Sequence, residues 1–182
     1  LLHTPDGGSN WIFNQLPNWQ PCKDMAFNSD NTGIIIGGAS FNYGCLTYID
    51  SGGNITRFDT LAFELNDIEM LDGKTGFISG FGAIMKTTDG GYTWNIQDAI
   101  NDDFMAITAL NANELWACGI NGSIMHTSDG GGHWERQRNG NDITISRYRL
   151  LDILFKDPLH GYAVGENGIV IYTDDGGNHW ME

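Results

Sequence analysis

A chain of 182 residues with 41% apolar side chains can bury a real core, and 25 glycines, 4 prolines and 12% aromatics suit short strands and tight turns, not collagen or a disordered linker. Its 23 acidic against 9 basic side chains give a net charge of −14, which excludes nucleic acid and anionic membranes as partners, because phosphate binding draws on clustered Lys and Arg. No apolar run approaches the roughly 18 to 20 residues of a membrane helix, so direct membrane insertion is not expected.

The chain opens at Leu1-Leu2-His3 directly on a turn motif, TPDGGSNW from Thr4. A long aromatic link follows (Leu16-Pro17-Asn18-Trp19-Gln20-Pro21), then an apolar run at 24–27, the turn NSDNTG and the run GIII from Gly33. NSDNTG has the flavour of a calcium loop, but Ala39 stands where the twelfth-position Glu would be, so it reads as a turn. After an insert at 38–44 comes YIDSGGNI from Tyr48, a version of the motif that carries Ile55 in place of Trp. The next units repeat the plan more tightly. GFISGFGAIMKT leads into TTDGGYTW from Thr87, ELWACGINGSIMHT into TSDGGGHW from Thr127, and GYAVGENGIVIYT into TDDGGNHW from Thr173.

The motif aspartates are Asp6, Asp50, Asp89, Asp129 and Asp175, recurring every 39 to 46 residues, the period of a four-stranded propeller blade. The motif tryptophans are Trp11, Trp94, Trp134 and Trp180. Each unit reads as strand A, turn, strand B, glycine-flanked turn, strand C, Asp turn and strand D, because β-branched and aromatic runs are bounded by glycines. The expected fold is all-β, a propeller of about four antiparallel blades plus a leading C–D hairpin, forming part of a larger ring. The units span 1–15 (partial), 16–59, 60–99, 100–139 and 140–182. An aspartate in such a turn accepts backbone N–H bonds, paired glycines permit positive φ, and the Trp buries area between blades. These residues are therefore structural.

The recurring TxDGGxxW box, with GxAVG and G-x-I-x-x-T ahead of it, resembles the Asp-box (bacterial neuraminidase) repeat of sialidases, xyloglucanases and sortilin-type receptors. The segment at 152–180 is most similar to the photosystem II stability/assembly factor family of propellers. That resemblance implies a non-enzymatic propeller that holds or assembles other proteins, with an exported, extracytoplasmic setting as the accompanying expectation.

Catalytic chemistry is hard to find. Sialidases need three arginines on the substrate carboxylate, a Tyr–Glu nucleophile pair and an Asp acid/base. Here the only Arg–Tyr cluster is SRYRLLD, with Arg147 and Arg149 sharing one face of a strand. His133 and His179 hold one repeat position, filled by Asn10 and Thr93 elsewhere, and the cysteines lack ligand spacing, so no metal and no cofactor is expected. A protein partner is the leading reading, on an aromatic cluster of Trp19, Phe41 and Tyr43 with Arg147 and Arg149. A glycan stacked on the same aromatics, or a glycosidase-type cleft, is the alternative.

Cys22 and Cys45 begin strands A and C of one unit. Regular strands would hold them roughly 9 to 10 Å apart, too far for a bridge. Both adjoin irregular connections that could bring them together, so a disulfide and two independent thiols both stand.

Overall fold

The computed structural model describes residues 1–17, 19–97, 102–138 and 148–182. Alternating apolar residues bounded by glycine turns form seventeen short strands among them. A leading hairpin, β1 (Leu2–His3) and β2 (Ile12–Phe13), stands ahead of four antiparallel sheets. Blade 1 comprises β3 (Cys22–Phe27), β4 (Gly33–Ala39), β5 (Tyr43–Ile49) and β6 (Ile55–Leu61). Blade 2 comprises β7 (Leu65–Met70), β8 (Gly76–Gly80), β9 (Ala83–Thr87) and β10 (Asn95–Ile96). Blade 3 comprises β11 (Phe104–Ala109), β12 (Leu115–Gly119), β13 (Ile124–Thr127) and β14 (Glu135–Arg138). Blade 4 holds β15 (Leu150–Phe155), β16 (Gly161–Gly165) and β17 (Val170–Thr173), and Met181 bridges to Tyr172 where a fourth strand would start. The one helical segment among the described residues is a 3-10 turn, Glu166–Gly168.

Within each blade the strands pair in sequence order as a meander. The first strands β3, β7, β11 and β15 stand side by side, so the blades are arranged about this inner row. The core lies between blades, which is why the B and C strands are apolar on both faces. Ile34, Ile36 and Leu46 of blade 1 pack with Leu65, Ile68 and Ile78 of blade 2. Phe77 and Ile84 then meet Phe104, Ile107 and Leu115, and Trp116, Cys118 and Ile124 meet Leu150, Ile153 and Phe155. Burying Phe77, Trp116 or Leu115 completely contributes on the order of 2 to 3 kcal/mol each.

The inner strands carry a second repeat, a β-bulge at one register. It falls between Cys22 and Asp24, Leu65 and Asp67, Phe104 and Ala106, and Leu150 and Asp152. Past it, Asp24 Oδ2 accepts the N–H of Ile68 at 2.9 Å and Asp67 Oδ2 that of Ile107 at 2.8 Å. Each carboxylate ties its blade to the next.

Cys22 and Cys45 are not bridged. Both pair with Gly37, from opposite sides of β4, so a whole strand separates them, and none of the three cysteines is in a disulfide. The bulge of β3 begins only after Cys22 and leaves Gly37 between the two cysteines, so the disulfide weighed from the sequence is not formed.

Candidate partner-binding face

The turns between B and C strands and the links into each A strand open on one face, and the Asp turns on the other. On the Asp-turn side each motif aspartate serves its own hairpin. Asp129 Oδ1 accepts the N–H of His133 at 2.8 Å, while Thr127 Oγ1 accepts those of Gly131 at 3.0 Å and of Asp129 at 3.3 Å. Asp6, Asp89 and Asp175 take the N–H of Asn10, Thr93 and His179 in the same way, at 2.8 to 2.9 Å. Asp50 accepts from Gly52 and Asn54, with Ile49 at the ladder position of the usual Thr. The turn needs φ of +71° at Gly130 and +93° at Gly131, where a side chain would be strained. These donors hold the carboxyls below the usual range. Asp175 lies at about 2, chiefly through the His179 N–H, and Asp129 is lower still through the His133 side chain. The five carboxylates sit one per hairpin.

The tryptophans seal each blade against the one before it. Trp94 Nε1 donates to the Tyr48 hydroxyl at 3.3 Å, Trp134 packs with Phe77 and Ile84, and Trp180 joins Trp116, Cys118 and Ile124 of blade 3 in one cluster. Trp11 has no preceding blade to meet among the described residues and is 60% exposed.

Between the Asp turns of blades 1 and 2 lies a groove of about 470 Å³, lined among others by Asp30, Tyr48, Asp50, Arg57, Asp89 and Tyr92. Arg57 sits 4.6 Å from the Tyr48 ring centroid, pairs with Asp59 and donates to the Tyr92 carbonyl at 3.0 Å. Asp30, Asp50 and Asp89 are all held below the usual carboxylate range by hydrogen bonds from neighbouring side chains and backbone. They are ionised acceptors near neutral pH and none can donate a proton, the task a glycosidase acid must perform. Two carboxyls raised to about 7, chiefly by burial, Asp67 and Glu69, belong to β7 and are not among the groove's lining residues.

The opposite face is built on the inner-strand bulges, which re-aim the side chains they displace. Lys23 and Asn66 are the bulge residues of blades 1 and 2. Lys23 Nζ pairs with Glu64 at 2.5 Å and donates to Asn66 Oδ1 at 2.6 Å. Asn66 Nδ2 donates to Asp103 Oδ1 and to the Phe104 carbonyl, both at 2.8 Å. Asp102 continues the chain by accepting from Asn121 at 2.7 Å and from Ser123. Burial raises Glu64, but Lys23 and the Phe41 N–H outweigh it and leave Glu64 below its usual range. Asp103 is raised by burial, which its Asn66 bond only partly offsets.

This polar chain holds the turns above it. The Phe41 N–H donates to Glu64 Oε2 at 2.7 Å and the Phe81 N–H to the Glu64 carbonyl at 2.9 Å. One residue thus places both rings, whose centroids are 4.9 Å apart at 42°. Phe41 remains 53% and Phe81 41% exposed, an apolar pair bridging two blades.

Of the residues singled out from the sequence, Phe41 lies in this pair, but its ring partner is Phe81 and not Trp19 or Tyr43. Trp19 projects into solvent, and Tyr43 is half-buried where β5 begins opposite Ala39. Arg149 lies on the same face in blade 4, where its carbonyl accepts the Glu166 N–H and its guanidinium approaches Glu166 at 3.6 Å. Arg147 falls outside the described residues. Phe81, Glu64, Lys23, Asn66, Asp102 and Asp103 had not been singled out. Repeat alignment held a signal for two of them, since Lys23 and Asn66 fill one column.

The family model for the photosynthesis system II assembly factor YCF48 matches residues 51–144, just over half of the chain. The chain belongs to this family. No curated protein matches it in sequence. Among solved structures it resembles YCF48 from Cyanidioschyzon merolae at a TM-score of 0.68 and 16% identity, over 92% of this chain and 57% of that one. It also resembles a YCF48 structure bound to a D1 peptide, at a TM-score of 0.55 and 24% identity, over 64% of this chain and 39% of the other. A GH74 enzyme from Niastella koreensis matches at 0.59 and 14% identity, over 88% of this chain but 29% of its own. At these identities the likeness shows the propeller fold alone. The chain spans under three-fifths of the length of either YCF48 structure.

Proposed function

We propose that this YCF48-family chain is a non-catalytic scaffold that holds a protein partner on the face carrying Phe41 and Phe81. The observation that carries the reading is the exposed ring pair standing on a locked polar base. An aromatic anchor that needs no reordering binds with little entropic cost. The YCF48 structure with a bound D1 peptide supports a peptide segment as the kind of ligand. The Asp-turn carboxylates are consumed in their own hairpins, which supports a role without turnover. An extracytoplasmic setting belongs to the same proposal and rests on the family resemblance.

A peptide display library selected on the immobilised chain tests this reading. Enriched peptides should carry apolar or aromatic anchors, and their binding should weaken at least tenfold on the Phe41→Ala/Phe81→Ala protein. Peptides that bind both proteins equally would overturn it, as would reproducible cleavage of a sialoside or β-glucan that disappears with one acidic substitution.

The groove on the Asp-turn side supports a second reading, glycan binding, because the 75%-exposed Tyr92 flanks a guanidinium and three carboxylates. A glycan array probed with wild type and Tyr92→Ala tests it. A signal that Tyr92→Ala leaves intact counts against the groove.

A further inference from the structure

One repeat position supports the turns of the Phe41–Phe81 face in all four blades. Pro21, Glu64, Asp103 and Arg149 stand immediately ahead of β3, β7, β11 and β15. Each lends its backbone carbonyl to a turn between B and C strands, taking the N–H of Gly38, Phe81, Ile120 and Glu166 at 2.9 to 3.1 Å. The charged members differ in how far their side chains are used. Glu64 takes Lys23 and the Phe41 N–H, and Arg149 approaches Glu166. Asp103 is 9% exposed and accepts one bond, from Asn66 Nδ2 to Oδ1 at 2.8 Å. Its second oxygen, Oδ2, has no partner among the described residues, yet it is not sealed from solvent. The neighbouring Asp102 is filled by Asn121, Ser123 and the Asp103 N–H.

The open oxygen belongs to the neighbour of the ring pair. Asp103 and Phe81 are directly opposed in an antiparallel bridge between blades 3 and 2, beside the bond from the Gly82 N–H to the Asp102 carbonyl at 2.8 Å. Residues opposed in this way project to the same side, with Cβ atoms about 4.5 to 5.5 Å apart. The Phe81 ring in turn meets Phe41, centroids 4.9 Å apart. We propose that this corner receives a Lys or Arg side chain of the bound protein segment, its head paired with Asp103 Oδ2 and its stem laid on Phe81. The inference rests on the function proposed above and names the chemistry of the partner, an apolar anchor on the rings with a basic residue beside it.

Three features favour a cation here over a neutral or acidic group. Aromatic faces carry negative potential and attract ammonium and guanidinium groups. A carboxylate that burial has stripped of most of its water gains more from a partner charge than an exposed one, and burial raises Asp103. The aliphatic stem of Lys or Arg covers apolar surface while its head stays polar, which suits a ring with a carboxylate at its foot. The net charge of −14 adds long-range steering for a basic segment and repels an acidic one. Lys23 does not fill the place, because its Nζ is held by Glu64 at 2.5 Å and Asn66 Oδ1 at 2.6 Å.

Fluorescently labelled peptides with one Phe anchor, and with Lys, Gln or Glu placed one or two residues to either side, test this by anisotropy on the whole chain. The Lys peptides should bind at least tenfold more tightly than their Gln counterparts, and the Glu peptides most weakly. Asp103→Asn keeps an oxygen for the Asn66 amide, and in that protein the Lys advantage should fall below about threefold with an unchanged circular dichroism spectrum. Phe41→Ala/Phe81→Ala should weaken the Lys and Gln peptides alike. A further measurement needs no variant: carbodiimide coupling of the bound Lys peptide to the wild-type chain, mapped by mass spectrometry, should place the new amide on Asp103. Lys and Gln peptides that bind equally but still depend on the two rings would overturn this inference and leave the proposed function standing. So would a Lys advantage that survives Asp103→Asn, or coupling on other carboxyls alone. Binding that ignores the rings, or no binding by any peptide, would overturn both.

Discussion

Asp67 accepts the backbone N–H of Ile107 at 2.8 Å, so an inner-strand carboxyl of blade 2 holds the inner strand of blade 3. Burial, and after it the hydrogen bond and charge of the neighbouring Asp24, raise this carboxyl to about 7. Protonated Asp67 keeps one oxygen to accept from Ile107.

The sign of the pH effect follows. The folded chain binds this proton more tightly than the unfolded chain, whose Asp lies near 3.8. The contribution to stability is therefore fully present below about pH 4 and is lost as pH rises through 7, on the order of 4 kcal/mol. Thermal unfolding should give a higher Tm at pH 5 than at pH 8. Asp67→Asn should flatten that slope, because an amide neither ionises nor loses the bond from Ile107. A slope unchanged in Asp67→Asn would show that the proton sits elsewhere.

The Asp turns predict the opposite dependence in strong acid. Asp129 and Asp175 are depressed by His N–H and side-chain donors, so their contribution is present above about pH 4 and disappears as pH falls toward 2. The buried member of the turn is Thr127, 1% exposed, whose hydroxyl accepts from Gly131 and Asp129. Thr127→Val keeps the shape and strands those donors. It should cost about 1 to 2 kcal/mol, read as a lowered urea midpoint at constant m.

The fold was legible because its signals are local. Each Asp turn fits within eight residues, and Gly130, Gly131 and Thr127 carry their roles wherever the repeat stands. The site was less legible because it is assembled across blades. Lys23 meets Asn66, and Asn66 meets Asp103, 43 and 37 residues apart in sequence. A bulge aims both Lys23 and Asn66, and no propensity in a strand reports where a bulge will fall. Phe81 was hidden by a minimal turn, GFG, that reads as a mere connection. Trp19 was given weight for its aromatic ring, yet nothing in a D–A link decides whether a ring turns inward.

Glu64 is the hinge of the ring pair, since it takes the N–H of Phe41 with its side chain and that of Phe81 with its carbonyl. Glu64→Ala removes the first bond and leaves the second. Hydrogen exchange should then accelerate about tenfold or more at the amides around Phe41, which holds φ of +63°, and much less around Phe81. Equal acceleration at both turns would mean that the whole face loosens and that Glu64 does not act through Phe41.

The cysteines offer a count that depends on β4 standing between Cys22 and Cys45. Cys22 lies exposed at the start of β3, Cys45 is 2% exposed beneath the blade, and Cys118 is fully buried, its thiol pushed well up by that burial. Only a thiolate in reach of reagent reacts quickly. A colorimetric thiol reagent should therefore titrate one group in the native chain, and Cys22→Ser should abolish that reaction. Three groups should react in denaturant without any reductant, because Gly37 stands between Cys22 and Cys45 and keeps them a full strand apart. A single reactive thiol in denaturant would mean a bridge between these two, and with it a β4 displaced from the ladder.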